Sequence, residues 1–248
     1  YDEVTDLMIR LQREEFGNPS SLHSMGFEAG NYIFDAREAL SRTFPRDGRI
    51  VFTSGGTESD NMAIFSSCRK MRRRGKKVIT TQLEHPAVLE CMKRLQEDGY
   101  EIVYLASDVN GYVEPQALKA ALDEETVLVS MMAVNNEVGT IEPVLPCYRI
   151  VQEFNREHGT EILFHTDGVQ AFGKVEFNDA PFDLISISGH KFHGPKGVGA
   201  LYIRKGVHIP PFILGGGQED GFRSGTENTP GIAGLGLAAQ MATENIFE

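Results

Sequence analysis

Apolar and polar positions alternate between two rhythms along most of the chain. Short apolar runs rich in β-branched residues predict strands over 49–53, 77–81, 101–105, 126–133, 162–165, 183–188 and 199–203. Between them, apolar residues recur at three- and four-residue spacing and predict helices over 58–74, 87–97, 114–122 and 146–157. In the second of these, Val88, Leu89, Met92 and Leu95 share one face. Two further helices, over 7–16 and 27–44, precede the alternating part, and another is expected over 232–246. Strands that alternate with helices need crossover connections, and these are right-handed. The expected fold is therefore α/β, a mainly parallel seven-stranded sheet with helices on both faces. The pattern divides the chain into a helical segment over 1–45, packing on the core, and a large sheet domain over 46–248.

In a parallel sheet, ligands bind in the crevice beyond the strand C-termini. Polar residues gather after strand upon strand here. Ser54-Gly55-Gly56-Thr57-Glu58-Ser59 follows the first, and Glu84-His85-Pro86 the second. Asn135-Asn136-Glu137, Thr166-Asp167-Gly168-Val169-Gln170 and Ser188-Gly189-His190-Lys191 follow three others. The glycine pair between a strand and a helix suits an anion cradle, because free N–H groups and the helix dipole favour negative charge. It equally suits a plain turn capped by Ser54 or Thr57. No Gly-Lys-Ser/Thr follows, so it is not a Walker loop. Pro86 biases His85 toward an extended conformation and fits the first position of a helix. His85 could stack on a flat ligand or carry protons, or be a half-buried structural histidine. Asp167, in an expected turn, could pair with a protonated ring nitrogen or serve the turn itself, and Asn136 could likewise serve its own turn. Lys191 follows a buried strand at the ligand edge. A lysine desolvated there is a nucleophile that forms Schiff bases, whereas one facing solvent is a plain surface charge. An anion cradle, an aspartate and a lysine on one edge match the needs of pyridoxal 5′-phosphate.

Composition narrows the class. At 248 residues the chain can bury a sizeable core, and 41% hydrophobic with 24% charged residues is ordinary for a globular protein. The net charge of −11 argues against a general nucleic-acid binder. Cys68, Cys91 and Cys147 are too scattered for a disulfide framework or a zinc site. His190 and His193 lack a carboxylate or cysteine to complete a metal site, so none is expected. No apolar run is long enough for a bilayer, and no secretory signal is visible in a chain that opens Tyr1-Asp2-Glu3. A cytoplasmic location is expected. The basic run from Arg69 to Lys77 falls at a predicted helix C-terminus and reads as a solvated end.

The motifs, in their order, resemble those of the cysteine desulfurases, in the aminotransferase class V group of fold-type I pyridoxal-phosphate enzymes. Besides the segments above, Phe16-Gly17-Asn18-Pro19-Ser20-Ser21, Asp60-Asn61, Val138-Gly139, Gly194-Pro195-Lys196-Gly197, Gly215-Gly216-Gly217 and Arg223-Ser224-Gly225-Thr226 carry the likeness. The resemblance implies that Lys191 bonds covalently to the cofactor and that His85 stacks on its ring and takes part in proton transfer. It implies Asp167 on the ring nitrogen, Gln170 and Asn136 at the ring oxygen and substrate, and Gly56, Thr57, Ser188 and His190 at the phosphate. Thr226 would reach the phosphate of a neighbouring subunit in a homodimer. The implied reaction converts L-cysteine to alanine and leaves the sulfur as a persulfide on an enzyme cysteine. A sulfur-acceptor protein, such as an iron–sulfur scaffold, would take it onward. The family's nucleophilic cysteine and carboxylate-binding arginine lie beyond the Arg-Ser-Gly-Thr motif. None of the three cysteines here matches that nucleophile, and the C-terminal small domain is expected to be absent from this chain. Selenocysteine lyase, cysteine sulfinate desulfinase and a cofactor-binding dimeric scaffold without turnover are the alternatives on the same fold.

Overall fold

The computed structural model describes residues 1–44, 48–176 and 181–244. Seven strands form one sheet: β1 (Arg49–Thr53), β2 (Lys77–Thr81), β3 (Glu101–Leu105), β4 (Thr126–Met132), β5 (Leu163–Asp167), β6 (Leu184–Ser188) and β7 (Gly199–Ile203). The helices are α1 (Asp2–Glu14), α2 (Ser24–Ser41), α3 (Gly56–Met71), α4 (Pro86–Glu97), α5 (Pro115–Ala121), α6 (Val144–His158) and α7 (Thr229–Glu244). The strand order is β1-β7-β6-β5-β4-β2-β3. Six strands run the same way, and β7 alone runs against its neighbours β6 and β1.

The expected mainly parallel sheet is therefore present, with one correction. The expectation that every strand ends on one edge fails at β7, whose start rather than its end lies beside the ends of β1 and β6. The short connection from Gly189 to Val198 reverses the chain without a crossover helix, which permits only an antiparallel return. Gly199 opens that strand where backbones crowd. A Cβ there would come within 2.5 Å of the Ile187 carbonyl oxygen and 2.8 Å of Gly55.

Strand residues alternate between two cores, as the pleat dictates. Val51, Val78, Leu128, Leu163, Leu184 and Leu201 pack with Met62, Ile64, Val88 and Met92 of α3 and α4. Ile50, Phe52, Ile79, Val129, Phe164 and Ile185 pack on the opposite face with α2, α6 and α7. Burying both faces explains why these strands read as continuous apolar runs. The N-terminal helices share the second core through Val4, Ile33, Ala36 and Leu40.

Element ends differ from the sequence pattern in ways that matter for the site. Helix α3 starts at Gly56, two residues earlier than expected, so Gly56 and Thr57 lie in its first turn. Helix α1 starts at Asp2 rather than at residue 7. The expected domain boundary near residue 45, and the end of the last predicted helix, fall outside the described residues. Among the described residues, no helix is long and apolar enough to cross a membrane.

Candidate functional site

One cavity of about 330 Å³ lies beyond the strand ends, lined by Gly56, Thr57, His85, Asn136, Asp167, Gln170, Ser188, His190 and Lys191. These are all the residues expected at the site except Thr226, which is exposed and lies outside it. Met132, Val134 and Val169 supply apolar wall. A second, open cavity of about 760 Å³ adjoins it and shares Asn136.

One end of the cavity is built by the β1–α3 turn. Gly55 holds φ +151°, a conformation that side chains rarely adopt, and serves as the N-cap without any side-chain cap on the helix. The capping role considered for Ser54 or Thr57 is thus not taken up, and the first N–H groups of α3 stay open toward the cavity. Gly56 is confined as well: a Cβ there would meet Val169 Cγ2 at 2.8 Å and Ser188 Cβ at 3.4 Å. The Ser188 hydroxyl pairs with His190 Nδ1 at 3.0 Å, so both side chains present polar atoms as a unit. Burial, then the charges of Lys191 and Lys196, lower the His190 pKa.

Asp167 is the last residue of β5, not part of a turn as expected. Pairing with Met132 on one side and Ser186 on the other extends the strand through it. Its Oδ1 accepts the Val169 N–H at 2.9 Å. Burial raises the Asp167 pKa, opposed by that hydrogen bond and by the charges of His85 and Lys191. His85 is the N-cap of α4, its Nδ1 accepting the Ala87 N–H at 3.1 Å. That bond leaves Nε2 and the ring face for the cavity. Lys191 is half-buried in a single 3-10 turn, Gly189–Phe192, directly after β6. Gln170 lies in the turn after β5, its Oε1 accepting from Lys174 Nζ at 2.9 Å.

Beneath the cavity lies a buried polar layer that the sequence pattern did not expose. Asp60, on α3, lines the cavity floor, and its Oδ1 has no hydrogen-bond partner. Nε2 of His165 is 3.5 Å from it. His165 is itself held by Ser130 on β4 and Ser186 on β6, each at 2.9 Å. Burial pushes His165 down to about 3, so its ring is neutral. Burial, followed by the charge of Asp167, raises Asp60 well above the usual carboxylate range. Glu84 is buried beside them, bonded through Oε1 to Thr81 and to the Met132 N–H, and burial pushes it up to about 8. A polar side chain on the sheet-facing side of α3 and a histidine inside an apolar strand were the available signals.

A doubly covered α/β sheet with an uncapped helix start, a buried carboxylate and a lysine past its strand ends defines a ligand-binding domain of the α/β enzyme class. The chain belongs to the aminotransferase class-V family, whose model matches residues 1–247. A cysteine desulfurase IscS of Dictyoglomus turgidum is 48% identical over 243 residues, covering 97% of this chain and 60% of that protein. One from Methanosarcina thermophila is 46% identical over 249 residues, covering 99% and 60%. The solved structure of a NifS-like protein matches with a TM-score of 0.95 and 46% identity, covering 99% of this chain and 67% of that one. SspA in complex with cysteine matches with a TM-score of 0.88 and 37% identity, covering 97% and 69%. The chain thus spans about three fifths of the length of these curated relatives.

Proposed function

We propose that this chain holds pyridoxal 5′-phosphate in the strand-end cavity and serves the cysteine desulfurase reaction. The observation that carries the reading is the meeting of an uncapped α3 N-terminus, buried Asp167 and Lys191 on one cavity. The confined Gly56 suits a tightly fitted polar ligand. When bound, the cofactor supplies an electron sink next to the substrate α-carbon.

The residues divide the remaining work. Gly56 and Thr57 N–H groups, with Ser188 and His190, take the phosphate. Asp167 keeps a facing ring nitrogen protonated, a role that its Val169 N–H bond favours by stabilising the carboxylate against the upward pull of burial. His85, fixed by the Ala87 N–H, stacks on the ring and moves protons at Nε2. Asn136 and Gln170 orient the ring oxygen and the substrate. Lys191 attaches the cofactor and then moves the α-proton of L-cysteine. The cysteine bound in the SspA neighbour supports that substrate class. A homodimer in which Thr226 serves the neighbouring site, a cytoplasmic location and a sulfur-acceptor protein complete the proposal. Cys68, Cys91 and Cys147 are buried with thiols pushed up to about 12 by burial, which suits none of them to sulfur transfer.

The test is borohydride reduction in the presence of pyridoxal 5′-phosphate, followed by peptide mass spectrometry. A phosphopyridoxyl group on Lys191, lost in Lys191→Ala, is the expected result. Its absence, or its appearance on a different lysine, overturns the assignment. Alanine release from L-cysteine by the full-length protein then tests the reaction.

A further inference from the structure

Glu58 is the acidic residue in the first turn of α3, immediately after the cradle residues Gly56 and Thr57. A free carboxylate there would repel an incoming anion and compete for the same N–H groups. The structure turns it elsewhere. Glu58 Oε2 accepts the Ser54 N–H at 2.9 Å, bridging the two sides of the Gly55 turn. Arg223 grips the same carboxylate with both arms of its fork, Nε to Oε1 at 2.7 Å and Nη2 to Oε2 at 3.2 Å. Bidentate pairing of this kind fixes orientation as well as charge. Burial alone would raise the Glu58 pKa, yet the bonds from Arg223 and Ser54 hold it below the usual range.

Arg223 is itself well anchored. Its segment closes on itself through Phe212 N–H to Phe222 O at 2.9 Å and Ser224 N–H to Ile213 O at 3.0 Å. Glu219 of that segment accepts the Phe52 N–H at the free edge of β1, at 2.9 Å, and pairs with Arg37 at 2.7 Å. Glu219 and Asp220 keep positive φ values of 51° and 53°, which these contacts hold in place.

We propose that Arg223 is a positioning residue for the anion cradle: by gripping Glu58 it fixes the Ser54–Thr57 turn and cancels the carboxylate beside it, so that the turn accepts a phosphate group. The inference rests on the reading above that the cradle takes the cofactor phosphate. It requires that Arg223 act on the phosphate end of the ligand alone.

The experiment compares the affinities of pyridoxal 5′-phosphate and of pyridoxal, which lacks the phosphate, for the full-length protein and its variants. Arg223→Gln is expected to weaken pyridoxal 5′-phosphate about ten- to a hundredfold, the range for a charge-assisted hydrogen bond, and pyridoxal less than about twofold. Adding Glu58→Gln removes the unbalanced carboxylate and is expected to restore affinity at least about threefold, the sign of direct coupling. A merely structural role would weaken both ligands in proportion and would show no restoration. That result, or unchanged phosphate-ligand affinity in Arg223→Gln, overturns the proposal. Circular dichroism checks folding. If Arg223→Gln does not fold, Arg223→Lys, which keeps the charge and loses the fork, is judged by the same selective loss. Wild-type protein that binds neither ligand overturns the cofactor reading itself. Binding of both with equal affinity removes the phosphate cradle while leaving Lys191 as the attachment site.

Discussion

Glu84 ties the protein's stability to pH, and replacing it with glutamine should break that tie. The side chain is 4% exposed, and one of its carboxyl oxygens has no protein partner. Burial moves its pKa from 4.5 to about 8, so the folded protein keeps a proton there that the unfolded chain has already lost. The native state therefore binds more protons between those two values, and stability falls as pH rises through that window. At about 1.4 kcal/mol for each pH unit, the whole window amounts to roughly 5 kcal/mol. That is comparable to the entire stability of many domains. Glu84→Gln is neutral at every pH and still offers an oxygen to Thr81 and the Met132 N–H. Its amide nitrogen has no buried acceptor assigned to it, which should lower stability by about 1–3 kcal/mol at acid pH. Urea unfolding of both proteins from about pH 5 to about pH 8.5 should show that deficit close and then reverse as the wild type loses its advantage. Asp60 and Asp167, also raised by burial, leave a residual slope of the same sign in both proteins. Parallel stability curves would refute the placement of a proton on buried Glu84.

Three further outcomes follow from the same structure. His165, pushed down to about 3, stays neutral while the unfolded chain protonates, so stability is lost as pH falls below about 6.5; His165→Gln should flatten that loss by about 3 kcal/mol by pH 4 in thermal unfolding. Gly56→Ala places a methyl group 2.8 Å from Val169 Cγ2, and an overpacked cradle should weaken pyridoxal 5′-phosphate at least about tenfold with an unchanged circular dichroism spectrum. The three buried thiols, pushed up to about 12, should resist a thiol-specific disulfide reagent in native protein and react in denaturant; rapid native labelling of any of them would contradict their burial.

What could be read from sequence followed from strong periodicity and from where polar residues interrupt it. Lys191, His85 and the Ser54–Thr57 turn were legible because each breaks an apolar strand pattern at its C-terminal end, where a parallel sheet opens to ligands. Asp167 was found but placed in a turn. Its Thr-Asp-Gly context favours turning, whereas ladders to Met132 and Ser186 on both sides hold it in the strand. Tertiary pairing outweighed local propensity. The direction of β7 was hidden because Gly199–Ile203 reads as the same apolar run whichever way it lies. Asp60 and His165 were missed for a related reason: a periodicity reading counts apolar positions and is silent about polar groups buried to satisfy one another.

The antiparallel return of β7 also sets an order of events. Among the described residues, strand β1 pairs with β7 alone, and its register runs Arg49 with Ile203 through Thr53 with Gly199. Those partners are separated by about 150 residues of chain, a closure whose entropy must be met before any of its contacts form. The turn that would hold phosphate hangs from the end of β1 and packs against Gly199. During synthesis, the sheet centre from β2 to β6 can assemble while β1 waits without a hydrogen-bonded neighbour. Strand β1, made before the sheet centre, is thus among the last to dock, and the turn at its end settles only once β7 is available to pair with it.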